Sequence, residues 1–144
     1  MEWEEFLDPY VQAVGELKVK LRGIRKQYRK QQRHSPIEFV TGRVKSVESI
    51  QEKMIMQNIS LDNLARDMND IAGLRIMVQF EDDIAEVLKV LHQRKDMKIV
   101  LERDYITYKK PSGYRSYHVI VEYPVDTIDG NKVVLAEIQI RTLA

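Results

Sequence analysis

The chain has no cysteine in its 144 residues. That excludes disulfides and thiolate metal sites, and it fits a reducing compartment such as the cytosol. No apolar run is long enough to span a membrane, and the acidic, tryptophan-bearing N-terminus is not a signal peptide. Neither sign of charge dominates: 23 Lys and Arg against 22 Asp and Glu leave a formal net charge of +1. Bulk electrostatics therefore argue neither for nor against a nucleic-acid partner, and any basic site must be local. There is no P-loop lysine motif and no His/Asp cluster with metal-ligand spacing, so hydrolytic metal chemistry of that type has no support. Internal repeats and low-complexity linkers are missing too. What remains is one charged α+β domain, large enough for a core of its own.

The periodicities outline that domain. Phe6, Tyr10, Val14, Leu17, Leu21, Ile24 and Tyr28 recur at three- and four-residue spacing, which predicts an amphipathic helix. Its other faces carry Lys18, Lys20, Arg22, Arg25, Lys26, Arg29, Lys30 and Arg33, either a solvated face or a surface for phosphates or RNA. His34-Ser35-Pro36 ends it. A strand is expected over 37–45, then a helix capped by Ser46 through about Met56, then a short helix over 61–68 capped by Ser60. After a strand over 70–80, Asp82 and Asp83 open a helix with Ile84, Val87, Leu88 and Leu91 as its core stripe. Strands over 98–103, 115–123 and 133–142 complete the chain, with Asp129-Gly130 turning a hairpin between the last two. A mixed β-sheet of about five strands flanked by helices is the expected fold. Helices separate the first two strands, so those are expected to run parallel.

The run from Asp70 to Phe80 is the anomaly. Leu74, Ile76, Val78 and Phe80 share one face, yet Arg75 sits inside the apolar run with Gly73, Met77 and Gln79 on the other. A buried arginine is costly unless something anionic or polar receives it. The last strand repeats the pattern: Val134, Ala136, Ile138 and Ile140 on one face, Glu137, Gln139 and Arg141 on the other. With Thr41, Arg43 and Lys45 on the first strand, three strands each present polar groups on one side. A sheet with one solvated face would look the same. The functional reading is a cleft in which Asp70 and Glu137 suit an oxygen-ligated Mg²⁺ and the basic groups suit phosphate oxygens. That combination is what phosphoryl transfer requires. In the following segment Lys109, Lys110 and Gly113 could approach phosphates and Tyr114 could offer its ring to a base. A mobile basic loop followed by a packed tyrosine explains the same residues. His118 alone is more often structural than catalytic.

Five motifs occur in order: Arg43 and Lys45 with Ser49 and Lys53; D-I-A-G-L-R from Asp70 to Arg75; R-D-Y-I from Arg103 to Ile106; K-x-S-G-Y-R-S-Y-H from Lys110 to His118; and E-I-Q-I-R-T from Glu137 to Thr142. In this order they resemble the synthetase domain of the RelA/SpoT family, and the short chain with its N-terminal helix is most similar to the small alarmone synthetases of the RelQ type. The resemblance implies a nucleotidyltransferase-like sheet and transfer of the β,γ-pyrophosphate of ATP to the 3′-hydroxyl of GDP or GTP, giving ppGpp or pppGpp and AMP. It implies Mg²⁺ on Asp70, with Glu137 on the metal or acting as base. It places Arg43 and Arg75 on either side of the adenine and Lys45, Ser49, Lys53 and Arg103 on the ATP side. Lys110, Tyr114, His118 and Gln139 fall to the acceptor nucleotide. Relatives form homotetramers, and some respond to pppGpp or bind single-stranded RNA. The matching allosteric positions are Arg22, Phe39 and Thr41.

Three departures stand out. Arg22 occupies a lysine position, Met54-Ile55-Met56 replaces a stretch where the family carries a further arginine, and relatives continue into C-terminal helices beyond the equivalent of Ala144. The expectation is a single synthetase domain over 1–144 that lacks those helices. Two other readings use the same residues: an alarmone- or RNA-binding regulator that has lost catalysis, and a nucleotidyltransferase that moves a nucleoside monophosphate.

Overall fold

The computed structural model describes residues 1–108, 111–112 and 115–143. Helix α1 spans Trp3–Lys30 and buries Tyr10, Val14, Leu17, Leu21 and Ile24 of the expected stripe, together with Ala13, while the end members Phe6 and Tyr28 are half-buried. It ends at Lys30, before the His34-Ser35-Pro36 stop, as Gln32 takes a left-handed backbone with φ 55°. Strand β1 (Phe39–Val44) leads to α2 (Val47–Gln57), where the Ser46 hydroxyl accepts the N–H of Ser49 at 3.2 Å as its cap. The segment expected as one short helix is a 3₁₀ turn (Leu61–Asn63) followed by a single α-turn (α3, Leu64–Asp67), and the Ser60 side chain makes no cap bond.

Strand β2 covers Ala72–Val78 and α4 covers Glu81–Gln93, with Asp83 accepting the Phe80 N–H at 3.1 Å at its start. Strand β3 (Lys98–Asp104) and the long pair β4 (Tyr117–Thr127) and β5 (Gly130–Thr142) follow. β4 runs past Pro124, which was expected to end it. Its partner β3 stops pairing at Glu122, so β4 has a free edge there and the missing proline N–H costs no ladder bond.

The sheet order is β1-β2-β5-β4-β3, and it is mixed as expected. The expected parallel pairing of the first two strands is wrong: β1 and β2 are antiparallel. Helices α2 and α3 do not cross the sheet. The chain leaves at Val44 and returns at Ala72, which pairs with it, and the Lys45 N–H closes on the Ile71 carbonyl at 2.8 Å. The helical excursion is thus an enlarged hairpin connection. The parallel pair is β2 with β5, formed only after α4, β3 and β4 have intervened.

One face of this sheet is covered. Val40, Ala72, Leu74, Ile76, Val78, Val119, Val121, Ala136, Ile138 and Ile140 pack with α1 and α4 into one core. Gly42 sits where α1 comes closest, since a Cβ there would lie 2.7 Å from Leu74 Cδ1 and 3.0 Å from Val14 Cγ1 and Lys18 Cδ. A peripheral network fastens the layers: Tyr123 donates to Glu16 at 2.5 Å, Lys20 reaches Asp96 at 3.2 Å, and Tyr28 donates to Glu86 at 2.9 Å.

Candidate functional site

Register turns the alternation of the strands into a map of the other face. Arg43, Gly73, Glu137, Ile120 and Leu101 are paired in succession across all five strands. The neighbouring row is Thr41, Arg75, Gln139, His118 and Arg103. At roughly 4.8 Å per strand, Arg75 and Arg103 stand about 14 Å apart at the backbone, separated by Gln139 and His118 in that row.

Between β1, β2 and β5 these rows floor a cleft of about 330 Å³ lined by Thr41, Arg43, Lys45, Asp70, Arg75, Glu137 and Gln139, among others. Gly73 lies in the middle of the floor. A Cβ there would meet only the Arg43 carbonyl oxygen, at 3.8 Å, so its missing side chain leaves the space above the strand open. The sequence carried a signal for it, a glycine beside an arginine in a buried strand.

Asp70 stands at the entrance to β2. Its Oδ2 receives Lys53 Nζ at 2.8 Å and Lys45 Nζ at 3.1 Å. Burial by itself would raise the carboxyl pKa; the two ammonium groups outweigh that and hold it below the ordinary carboxylate value. Oδ1 is buried with no hydrogen-bond partner among the described residues. Lys53 comes from α2, one turn after Ser49, so the Ser46 cap that starts this helix also aims the lysine. Ser49 itself is exposed beside its cap.

On β5, Gln139 Nε2 donates to Glu137 Oε1 at 2.8 Å, while the buried Gln139 Oε1 has no partner among the described residues. His118 Nδ1 lies 3.9 Å from Glu137 Oε2. The His118 ring is buried and meets the Tyr105 ring edge-on at 4.9 Å. Tyr105 belongs to the motif over 103–106, in which the resemblance gives it no role. Its backbone N–H bonds the Ser116 carbonyl at 2.9 Å, and Asp104 Oδ1 accepts the N–H groups of Ile106 and Thr107, both at 2.9 Å.

The structure thus gathers Arg43, Lys45, Lys53, Asp70, Arg75, Glu137 and Gln139 in or beside one cleft, with His118 adjoining and Arg103 at the far end of its row. Lys110 and Tyr114 lie outside the described residues. The three positions expected to be allosteric divide. Thr41 lines the cleft and Phe39 follows on the same face of β1, whereas Arg22 reaches from α1 to the Val40 carbonyl at 2.9 Å.

The carboxylates suit one metal better than others. No cluster of three or more His, Asp or Glu able to enclose an ion occurs among the described residues. Two carboxylates, one with an orphaned buried oxygen, fit Mg²⁺, which takes one or two protein carboxylates and completes its shell with phosphates and water.

An α+β fold with one face of a mixed sheet left open, basic around two carboxylates, defines a phosphate-binding protein of the nucleotide-handling class. The chain belongs to the RelA/SpoT family: residues 42–144 match the region found in RelA / SpoT proteins. It is 60% identical over 143 residues to the GTP pyrophosphokinase YjbM of Bacillus subtilis, covering 99% of this chain and 67% of that protein. Its fold superposes with a TM-score of 0.95 on the B. subtilis small alarmone synthetase 1 bound to its product pppGpp, at 60% identity over 99% of this chain and 73% of that one. The same synthetase bound to AMPCPP gives a TM-score of 0.87 at 54% identity, over 99% and 70% of the two chains.

Proposed function

We propose that this chain is a GTP pyrophosphokinase, transferring the β,γ-pyrophosphate of ATP to the ribose 3′-hydroxyl of GDP or GTP. The observation that carries the reading is the single cleft in which parallel pairing of β2 with β5 brings Asp70 and Glu137 together among Arg43, Lys45, Lys53 and Arg75. Relatives that are GTP pyrophosphokinases by name, and a close structural neighbour holding an ATP analogue or pppGpp, support it.

In the reaction the acceptor 3′-oxygen bonds to the β-phosphorus of ATP, and the bridge between the α- and β-phosphates breaks. AMP leaves, and the hydroxyl proton passes to a base. Arg43 and Arg75 are exposed on adjacent strands and diagonal to one another. Diagonal neighbours on one face stand about 7–8 Å apart. From that backbone spacing two long side chains can rise on either side of one flat adenine, each guanidinium against one face of the ring. Lys45, Ser49 and Lys53 face the phosphates, with Arg103 receiving the far end of the donor. Asp70 and Glu137 would hold Mg²⁺, which when bound neutralises phosphate charge and polarises the transferring group. Glu137, which accepts a hydrogen bond from Gln139, takes the 3′-hydroxyl proton as base. Lys110, Tyr114, His118 and Gln139 complete the acceptor side, Tyr114 by stacking on guanine.

The same reading makes residues 1–144 one synthetase domain. It assigns a homotetrameric assembly, pppGpp acting through Arg22, Phe39 and Thr41, single-stranded RNA as a ligand of the basic α1 face, and a cytosolic location. That no helix among the described residues is long and apolar enough to cross a membrane accords with the last.

The test is incubation with Mg²⁺, γ-labelled ATP and GDP or GTP. Label in a guanosine tetra- or pentaphosphate with AMP released is expected. Pyrophosphate release with AMP or GMP attached to an acceptor would replace the reading with nucleotidyl transfer. Absence of both products would leave a binding protein.

A further inference from the structure

Asp70 is the carboxylate with most to offer a cation, and two ammonium groups already hold one of its oxygens, Lys53 Nζ at 2.8 Å and Lys45 Nζ at 3.1 Å on Oδ2. The contact is not a chance surface pairing. All three side chains are mostly shielded, with 27%, 16% and 19% of the Lys53, Lys45 and Asp70 side chains exposed. They also arrive from separate positions, α2, the end of β1 and the entrance of β2. The wider cleft is lopsided in the same sense. Among the described residues, Arg43, Lys45, Lys53 and Arg75 stand in or beside a cleft whose acidic lining is Asp70 and Glu137, an excess of two positive charges.

A free divalent cation entering this cleft meets net repulsion and an Asp70 oxygen that is already taken. A triphosphate meets the opposite field. Its oxygens offer Lys45 and Lys53 better partners than one shared carboxylate oxygen, and as the lysines turn to the phosphates both Asp70 oxygens become available. We infer that Lys45 and Lys53 select the form in which the divalent cation is accepted: they refuse it alone and admit it only together with the triphosphate. The lysines stand in for the cation's charge on Asp70 until the nucleotide arrives. This rests on the nucleotide-binding reading of the cleft and deepens it, giving residues assigned to phosphates a second task, exclusion of unaccompanied metal.

The experiment needs no turnover. Mn²⁺ is titrated into the full 144-residue chain and followed by electron paramagnetic resonance, while AMPCPP binding is measured by calorimetry. A neighbouring charge is worth about one to three pKa units to a carboxylate, so removing one ammonium should raise affinity for free Mn²⁺ about tenfold or more. Lys53→Met should therefore bind free Mn²⁺ at least about tenfold more tightly than the unaltered chain while binding AMPCPP more weakly. Lys53→Arg, which keeps the charge, should bind free Mn²⁺ as weakly as the parent. Thermal melting checks that each variant is folded, and Lys45→Met takes the same test where Lys53→Met is not. Equal affinity of parent and Lys→Met variants for free Mn²⁺ would overturn the inference. Failure of the pyrophosphokinase reading would show separately, as missing product in the labelled-ATP assay.

Discussion

On one face of the sheet Ile138 has no exposed surface and belongs to the apolar core under α1 and α4. On the other face its two neighbours in the chain, Glu137 and Gln139, are tied to each other and open onto a cleft. One strand therefore carries two kinds of stability. The covered face gains from removing apolar area from water, while the open face holds charged groups at a cost that only paired neighbours and a ligand offset. The two faces should fail independently, the inner by unfolding and the outer by losing activity at unchanged stability.

The largest expected effect is on the open face. Glu137→Gln keeps a carbonyl for the Gln139 amide but removes the negative charge and the base. The rate of alarmone synthesis should fall by about 10²–10⁴-fold, a barrier increase of roughly 3–5.5 kcal/mol. The melting temperature should move by no more than about 2 °C, within the range of substitutions that leave packing intact. A large loss of stability would mean that Glu137 belongs to the fold and not to the chemistry. Its chain neighbour is the converse case. Ile138→Ala should cost about 2–5 kcal/mol by deleting buried methyl groups and leaving a cavity. At roughly 3 °C per kcal/mol for a chain of this size, that is readily measured by thermal or urea unfolding, and activity per folded molecule should persist.

Two glycines sharpen the contrast, because adjacent strands present them to opposite faces. Gly42→Ala places a methyl 2.7 Å from Leu74 Cδ1 and 3.0 Å from α1 side chains. Overpacking of that kind costs about 1–3 kcal/mol. Gly73→Ala meets nothing closer than 3.8 Å and should leave the melting temperature unchanged, yet it raises the cleft floor by a methyl. The KM for ATP should rise several-fold. Equal effects of the two substitutions on stability would show that the faces are not separable in this way.

How far the sequence foretold this division depends on the distance over which each feature is specified. The stripe of α1 and the alternation along β2 and β5 are local periodicities, so Leu17, Arg75, Glu137 and Gln139 were assigned to their faces correctly. Which residues lie opposite one another is a matter of pairing between distant segments. Nothing in the chain announces that Arg43, Gly73 and Glu137 form a row, or that Lys53 and Lys45 share one oxygen of Asp70. The error over β1 and β2 has the same origin. Two helices lie between these strands in the sequence, but whether helices cross a sheet or stand beyond its end is decided by what they pack on. Only Ile50 of α2 is buried. The family motifs supplied roles that periodicity could not, though their assignment to the site still rests on the geometry of one cleft.

The smallest expected effect tests whether buried charge behaves alike on the two sides. Asp96 ties α1 to the turn before β3, accepting from Arg94 at 2.7 and 2.9 Å and from Lys20 at 3.2 Å. The Arg94 hydrogen bonds, opposed by partial burial and helped by Lys20, lower its pKa to about 2. A carboxyl held below its unfolded value of about 3.9 contributes its stability fully above that pH. The contribution is lost as the pH falls through the folded value near 2. Because the pair is partly open to solvent, its worth is under about 1 kcal/mol. Asp96→Asn should therefore be less stable than the parent at pH 7 by no more than that, with the gap narrowing steadily below about pH 4. Asp70 is lowered as well, but by two lysines that the nucleotide is expected to draw away. Saturating AMPCPP should thus leave the Asp96 gap unchanged, since that carboxylate lies on the covered side. A gap that responded to nucleotide would mean that the two faces communicate through α1.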